Sequence, residues 1–494
     1  MPSALRWSGH VRMLSHVQRL LRDDRGLTVV LTGRDLSLAD VIRVAREGAS
    51  VALAPTALER MAAARRVAEQ VIERGTPAYG LTTGLGIRKT AKIHDPGHDR
   101  LVLRQHLIAH PPYTPPDVVR AAALRLANAL AQATTVARPV LAERLVTALN
   151  DDTLPAVRLR GSVGESDLAA MADLAEGVLG DLELAQGEAV ALLNQSSFAT
   201  GWGALAVHDA VGLLDALDVA GALDLEALGA NRTLLEPTIA VVRPYPGLRS
   251  TLDRLNGLLA GTAAVPRALQ DPLTFRTLPH VNGAARDAFG FILGQLAIEL
   301  NSAQANPLVV VEEGVVVSVG NFEMIPLATA LDLARLALAP ALTSACERAL
   351  KLLQPHLTDL PEGLAERTGL AESAYSELGI ALQALTAEAR LLAQPVSHEV
   401  VSSSQAGGIE DRMTMAPLAA RRLAEMTELG TRIVAVELLL AAQACDLRGA
   451  ELGAGTRRAR DAVRSVAPFL REGDLLPEIE PLVALVRSGR IAAS

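Results

Sequence analysis

Aromatic side chains are scarce in this chain of 494 residues, which has 2 Trp, 4 Tyr and 6 Phe. Its core must be built from Ala, Leu and Val, which favours close-packed helices over a β-sandwich. Cysteine is scarcer still: Cys346 and Cys445 stand alone, which excludes a disulfide scaffold and a cysteine-based zinc site. Two lone thiols suit a reducing cytosol, so a cytoplasmic protein is expected. Lysine is confined to Lys89, Lys92 and Lys351 among 47 basic residues, an arginine bias read as the mark of a GC-rich, bacterial genome. Acidic residues number 55, the formal charge is −8 and no long basic run occurs, which argues against a nucleic-acid partner. Long apolar runs are missing too. The longest charge-free stretch, Ala189 to His208, contains Asn194, Gln195, Ser196, Ser197 and Thr200, and Met1 to Gly26 has no uninterrupted apolar segment. Neither a membrane partner nor a signal peptide is expected.

What is present is helical periodicity. Asp117 to Ala133 follows Pro115–Pro116 and places Val118, Ala122, Leu126 and Leu130 on one face. Leu418 to Leu447 reads as a helix about 45 Å long at about 1.5 Å per residue, apolar on most sides and ended by Gly449. Leu327 to Leu353 reads similarly, with Pro340 predicting a kink or break. One β signal interrupts the helices: Leu308–Val311 and Val315–Ser318 flank Glu312-Glu313-Gly314 as a short hairpin. Residues 1–27 read as an extension and 28–494 as a single helical unit, with no repeat or sharp compositional boundary.

Five polar clusters punctuate these helices. Tyr79-Gly80-Leu81-Thr82-Thr83-Gly84-Leu85-Gly86 sets a tyrosine among three glycines, and Leu81 and Leu85 favour a buried loop over a surface turn. Gly161-Ser162-Val163-Gly164-Glu165-Ser166-Asp167-Leu168 leads into a helix that Ser166 or Asp167 would cap. Gln270 to Arg276 places one arginine after a proline turn, suited to an ion pair or to bidentate capture of a carboxylate. Asn301 to Pro307 breaks the chain before the hairpin, and Gly320-Asn321-Phe322-Glu323 follows it. Glu410-Asp411 reads by itself as a solvated turn. His94 and His98 are separated by Pro96 and Gly97, so they make a poor helical ligand pair, and no metal site is expected. The motifs HExxH, GxGxxG, GxSxG and the phosphate-binding Walker loop are all missing.

Taken in order, these clusters resemble the aromatic amino acid lyase family, which includes histidine and phenylalanine ammonia-lyases and related aminomutases. Tyr79–Gly86 is similar to the family's Y-G-x-N-T-G-F-G loop, Gly161–Leu168 to G-S-V-G-A-S-G-D-L and Gln270–Arg276 to Q-D-x-Y-S-x-R. Glu299 to Pro307 is similar to E-L-N-S-x-x-D-N-P, Gly320–Phe322 to G-N-F-H, and Glu410, Asp411 and Met415 to E-D-x-x-S-M. Arg243 to Gly247 echoes R-P-H-P-G. The resemblance spans about Val29 to Leu485. It implies a mainly α fold: an elongated ammonia-lyase-like subunit with a long central helical bundle and a small β-hairpin near 308–318. The active-site part would cover about 28–200, and the central bundle and C-terminal part about 201–494. It also implies a homotetramer whose active sites take loops from three subunits. The family eliminates ammonia from amino acids with an electrophile made by cyclising its own Ala-Ser-Gly backbone into a methylidene-imidazolone (MIO).

By this resemblance Tyr79 is the catalytic base, Arg276 the carboxylate-binding arginine, and His110, Asn194, Phe322 and Glu410 are pocket residues. Glu410 corresponds to the acid of the histidine-specific branch. The departures fall where the electrophile forms. Where the family reads Ala-Ser-Gly-Asp-Leu, this chain reads Glu165-Ser166-Asp167-Leu168, one residue short. Ring closure needs the third residue's amide nitrogen to attack the first residue's carbonyl, a compressed geometry that glycine permits and Asp167 resists. No MIO, and no other cofactor, is therefore expected. The second family tyrosine is Leu273, the histidine after N-F is Glu323, and the stretch between Gly180 and Asn194 is shortened. The expectation is an MIO-independent enzyme acting on a carboxylate-bearing, amino-acid-like small molecule, with Tyr79, Glu323 and Glu410 as acid/base candidates. The alternatives are an inactive tetrameric binding homologue and a histidine or aromatic amino acid ammonia-lyase with an unusual MIO.

Overall fold

The computed structural model describes residues 28–93, 97–398 and 405–492. The 1–27 extension and His94, of the His94/His98 spacing, lie outside them. Six helices form the core and carry the candidate site: α1 (Pro116–Ala131), α2 (Leu168–Leu179), α3 (Ser197–Leu228), α4 (Leu278–Glu299), α5 (Ile325–Leu352) and α6 (Ala416–Arg448). Helices α3 and α6 pack along each other, with α5, α1 and α4 against them. Their composition explains the arrangement. Ala and Leu distributed all round a helix leave it no polar face, so it must be enclosed on every side; α3 is buried without interruption from Ala216 to Leu228. Close approach needs small residues. A Cβ on Gly201 of α3 would lie 2.7 Å from the Ala121 carbonyl carbon and the Ala122 nitrogen of α1, so only glycine lets these backbones meet.

The expected ends and faces are present. Val118, Ala122, Leu126 and Leu130 are all buried on α1, and α6 stops at Gly449, which takes the left-handed conformation at φ +61°. Pro340 neither breaks nor ends α5, which runs through it as one helix. The proline ring is exposed, on the side where a freed carbonyl can meet water. Helix α5 is also long and apolar enough to cross a membrane, yet just over half of its most apolar window is buried against neighbouring helices. The hairpin pairs β5 (Leu308–Val310) with β6 (Val315–Val317) in the register Leu308↔Val317.

Two further pairs of strands have no clear sequence signal. β1 (Thr28–Leu31) runs parallel to β2 (Ser50–Leu53), and β3 (His110–Tyr113) antiparallel to β4 (Arg158–Arg160). β3 reads His-Pro-Pro-Tyr, where the prolines remove the donors a strand normally supplies.

One polar cluster lies deep in the bundle. The Arg348 guanidinium of α5 contacts Asp224 of α3 (2.8 Å) and Glu437 of α6 (2.6 Å), and all three side chains are fully buried. Two carboxyls facing one guanidinium leave an excess negative charge, and burial, with Glu437 beside it, pushes the Asp224 carboxyl well up. Arg348→Leu would strand both acids without a counter-charge. It is expected to cost about 3–5 kcal/mol at neutral pH. Because a raised carboxyl favours the folded state at low pH and loses that advantage as pH rises, the deficit should shrink on acidification. A thermal melt of the variant that is equally depressed at pH 5 and pH 8 would contradict this.

Candidate active site

The loop before α2 is held by backbone contacts. Gly164 sits at φ +89°, and a Cβ there would meet Thr414 Oγ1 at 2.2 Å and the Ala416 nitrogen at 2.8 Å. The segment that starts α6 therefore lies directly against it. Thr414 Oγ1 donates to the Gly164 carbonyl (2.7 Å), and the Met415 and Thr414 amides donate to the Val163 carbonyl (2.8 and 3.2 Å). On the other side Glu165 forms an antiparallel bridge with Glu323. Three segments far apart in sequence are thus joined around Ser166.

Ser166 adopts φ +62° and its hydroxyl donates to Asn194 Oδ1. Asn194 Nδ2 donates to the Asn306 carbonyl (2.5 Å), and Asn306 Oδ1 accepts from the Val319 amide (2.8 Å) at the end of the hairpin. Asp167 occupies the N-cap position of α2 without a side-chain bond to that helix. The expectation that Ser166 or Asp167 caps α2 is therefore corrected: the Asp167 carboxylate caps α3 instead, accepting from the Ala199 amide at 2.7 Å. The first turn of a 32-residue helix offers unpaired N–H groups and a positive dipole end, a stronger attraction for a carboxylate. The Asp167 amide donates to the Gln195 carbonyl at 2.9 Å.

Two of the carboxyl groups here hold a proton more tightly than an ordinary carboxyl. Complete burial pushes Asp167 up to about 7, against the pull of the Ala199 and Phe198 amides. Glu165 is also pushed up to about 7, by burial first and then by the Glu323 charge, with Arg412 opposing and Glu410 adding. Glu323 is engaged at both oxygens: Oε1 accepts from the Ile325 amide at the start of α5 (2.9 Å), and Oε2 meets Arg412 at 2.8 and 3.2 Å. Arg412 is the residue that sequence reasoning missed. It lies beside Glu410-Asp411, but no local pattern signals a pairing across 89 positions.

Tyr79 lies in a buried loop, as Leu81 suggested; Leu81 is fully enclosed, and Thr82 Oγ1 donates to the Thr76 carbonyl (2.8 Å). The Tyr79 hydroxyl accepts from the Gly86 amide at 3.1 Å. Burial pushes its phenol above the ordinary value, Gly86 opposes that, and nearby Glu410 adds to it. Glu410 itself is exposed. Arg276 is half-buried at the end of a short helix (Leu273–Arg276), its Nε donating to the Asp271 carbonyl (2.8 Å). His110 is exposed on β3 opposite Arg160, and Phe322 is half-buried beside Glu323. Among the described residues no hydrogen bond or ion pair joins Arg276, His110 or the Phe322 side chain to the Ser166 loop. The structure therefore gathers Tyr79, Glu165, Ser166, Asp167, Asn194, Glu323 and Glu410 around one set of loops, while His110 adjoins the Gly161 end of the Ser166 loop through its pairing with Arg160 and Arg276 bonds to Asp271. Among the described residues no three His, Cys, Asp or Glu side chains form a group able to hold a metal.

The family profile described as aromatic amino acid lyase matches residues 36–186 and 179–465. A histidine ammonia-lyase of Clostridium tetani is 32% identical over 500 residues, covering 94% of this chain and 96% of its own. One from Sorangium cellulosum is 34% identical, covering 94% and 98%. Among solved structures, the ergothioneine degrading enzyme ergothionase from Treponema denticola superposes with a TM-score of 0.88 at 27% identity, over 94% of this chain and 99% of that one. A tyrosine aminomutase from Streptomyces globisporus gives 0.87 at 27% identity, over 94% and 97%. The chain belongs to the aromatic amino acid lyase family.

The buried Asp167 carboxyl sets a pH dependence. It stays neutral in the folded chain up to about pH 7 but ionises in the unfolded chain above about pH 4, so its contribution to stability is lost as pH rises through that window. Asp167→Asn keeps an oxygen for the Ala199 amide and removes the titration. Between pH 5 and pH 8 the variant should gain on the wild type by on the order of 2–4 kcal/mol in denaturant unfolding; parallel pH profiles for the two proteins would refute this.

Proposed function

We propose that this member of the aromatic amino acid lyase family is an enzyme that works without the backbone-derived electrophile. In this reading Tyr79 transfers a proton to or from a carboxylate-bearing, amino-acid-derived substrate in an elimination or addition, a cyclisation or an isomerisation. The observation that carries it is the Asp167 amide. That nitrogen would have to attack the Glu165 carbonyl to close a ring, but it donates instead to the Gln195 carbonyl at 2.9 Å, in a loop fixed by Thr414 and Met415.

The electrophile of the family serves to make ammonia leave. A substrate whose nitrogen is already quaternary does not need it, because cleavage of the C–N bond releases a neutral tertiary amine. Ergothioneine, which the Treponema denticola neighbour degrades, carries such a trimethylammonium group. The carboxyls of Glu165 and Glu323 beside Arg412, with Glu410 near Glu165, suit a cationic group of this kind. Arg276 keeps guanidinium donors beyond its Nε–Asp271 bond and would take the substrate carboxylate.

Because no hydrogen bond or ion pair among the described residues joins Arg276 to the Tyr79 loop, the reading includes a homotetramer in which one copy's Arg276 serves another copy's Tyr79. An apolar groove of about 570 Å³ between α4 and α5, lined by Val281, Ala284, Ala288, Leu336 and Pro340, supports such packing. Both cysteines are buried and unpaired, in keeping with a cytoplasmic protein. A second reading, an inactive binding homologue, draws on the Glu323–Arg412 pair, in which two candidate site groups neutralise each other.

Peptide mass spectrometry across Leu159 to Leu168 of the purified protein should find an unmodified chain. Loss of two waters there would sink the proposal in favour of an MIO enzyme. With N,N,N-trimethyl-L-histidine and L-histidine as probes, amine release is expected from the first. Tyr79→Phe, which keeps the ring and its packing, should slow that release by about 10²–10⁴-fold. Wild-type protein that binds both probes and turns over neither would favour the binding homologue.

A further inference from the structure

Three carboxyl side chains meet at the bridged loops, and they are not equivalent. Glu323 has both oxygens occupied, one by the Ile325 amide and the other by Arg412. Glu410 is exposed to solvent. Glu165 is half-buried, and its Oε1 is fully enclosed without a hydrogen-bond partner. The neighbours of Glu165 are pinned on both sides: the Gly164 carbonyl by Thr414, and Ser166 by Asn194. Its own backbone pairs with that of Glu323. The carboxyl therefore starts from a fixed point, carries one unoccupied oxygen and lies within electrostatic reach of Glu323, Glu410 and Arg412.

Resting on the reading proposed above, we infer that Glu165, which stands where the family has the first residue of its electrophile, is the catalytic base of this site and that Tyr79 serves as its proton-donating acid. The two groups are separated by environment in the way an acid/base pair requires. Burial and the Glu323 charge hold Glu165 at about 7, so near neutral pH much of it is a carboxylate able to accept a proton. The Tyr79 phenol is pushed up and keeps its proton. Glu323 is the poorer candidate, since both of its oxygens are already engaged, by the Ile325 amide and by Arg412.

For a quaternary ammonium substrate the step is balanced. Glu165 removes a proton from the carbon next to the one bearing nitrogen. The C–H electrons form the second bond of an alkene, the C–N pair departs with the neutral tertiary amine, and protonated Glu165 returns its proton to water. In elimination the Tyr79 phenol keeps its proton and donates a hydrogen bond to the substrate group that takes up charge as the C–H bond breaks; in addition or isomerisation it supplies the proton to carbon.

The test uses the full chain in its native assembly. The infrared carboxyl band of protein labelled with ¹³C-glutamate is titrated in wild type and in Glu165→Gln, with and without N,N,N-trimethyl-L-histidine, and amine release is followed across pH in parallel. A carboxyl that titrates near neutrality and is lost in Glu165→Gln is expected. So is at least a hundredfold drop in amine release in that variant, recovered in part by Glu165→Asp with a displaced pH profile. Undiminished release by Glu165→Gln, or a Glu165 carboxyl titrating below about pH 5, overturns the inference and leaves the proposed function standing. If the wild type releases no amine, the proposed function fails for this probe. The inference then survives only if bound probe displaces the Glu165 titration, and an unmoved titration overturns it as well. A Glu165→Gln protein that melts with the wild type rules out misfolding as the cause.

Discussion

The contact between the Asp167 carboxylate and the first turn of α3 holds the bundle and the loops in register. A helix of 32 residues presents several unpaired amides at its start, and a buried end of that kind must find acceptors. Asp167 supplies one from outside the helix, while its own amide holds the Gln195 carbonyl two residues before that helix begins. With this residue fixed at both groups, Ser166 is turned toward Asn194 and Glu165 is laid against Glu323. Burying a carboxyl is costly, and its affinity for a proton rises as a result. The helix dipole offsets part of that cost.

The same physics separates Glu165 from Glu323. Their backbones are paired and their side chains are chemically identical. Arg412 and the Ile325 amide surround one carboxylate with donors, whereas the other is enclosed with an acidic neighbour. Neither property belongs to glutamate as a residue type. Both come from which segment folds over it, and that segment, 409–415, arrives from the far end of the chain.

The sequence could reveal only what local rules encode. The long helices, the stop at Gly449 and the Leu308–Val317 hairpin follow from periodicity, capping and turn chemistry within a few residues. β3 escaped because two of its four residues are prolines, and its pairing with Arg158–Arg160 is set by tertiary context. At the site, the order of Tyr79, Ser166, Asn194, Arg276, Phe322 and Glu410 was legible as a family pattern. The partner of Glu323 was not, nor was the target of the Asp167 carboxylate, because such pairings across the chain leave no trace in spacing.

The meeting of Gly164 with Thr414 couples two distant loops. The two residues lie 250 positions apart, yet a Cβ on Gly164 would collide with the Thr414 hydroxyl and with the Met415 and Ala416 amides. A change of length or bulk in one loop is felt at once in the other, so the two segments form a single packing unit. Replacing the Ser166 loop alone would therefore leave the approach to α6 without its partner surface, and the two segments have to be exchanged together.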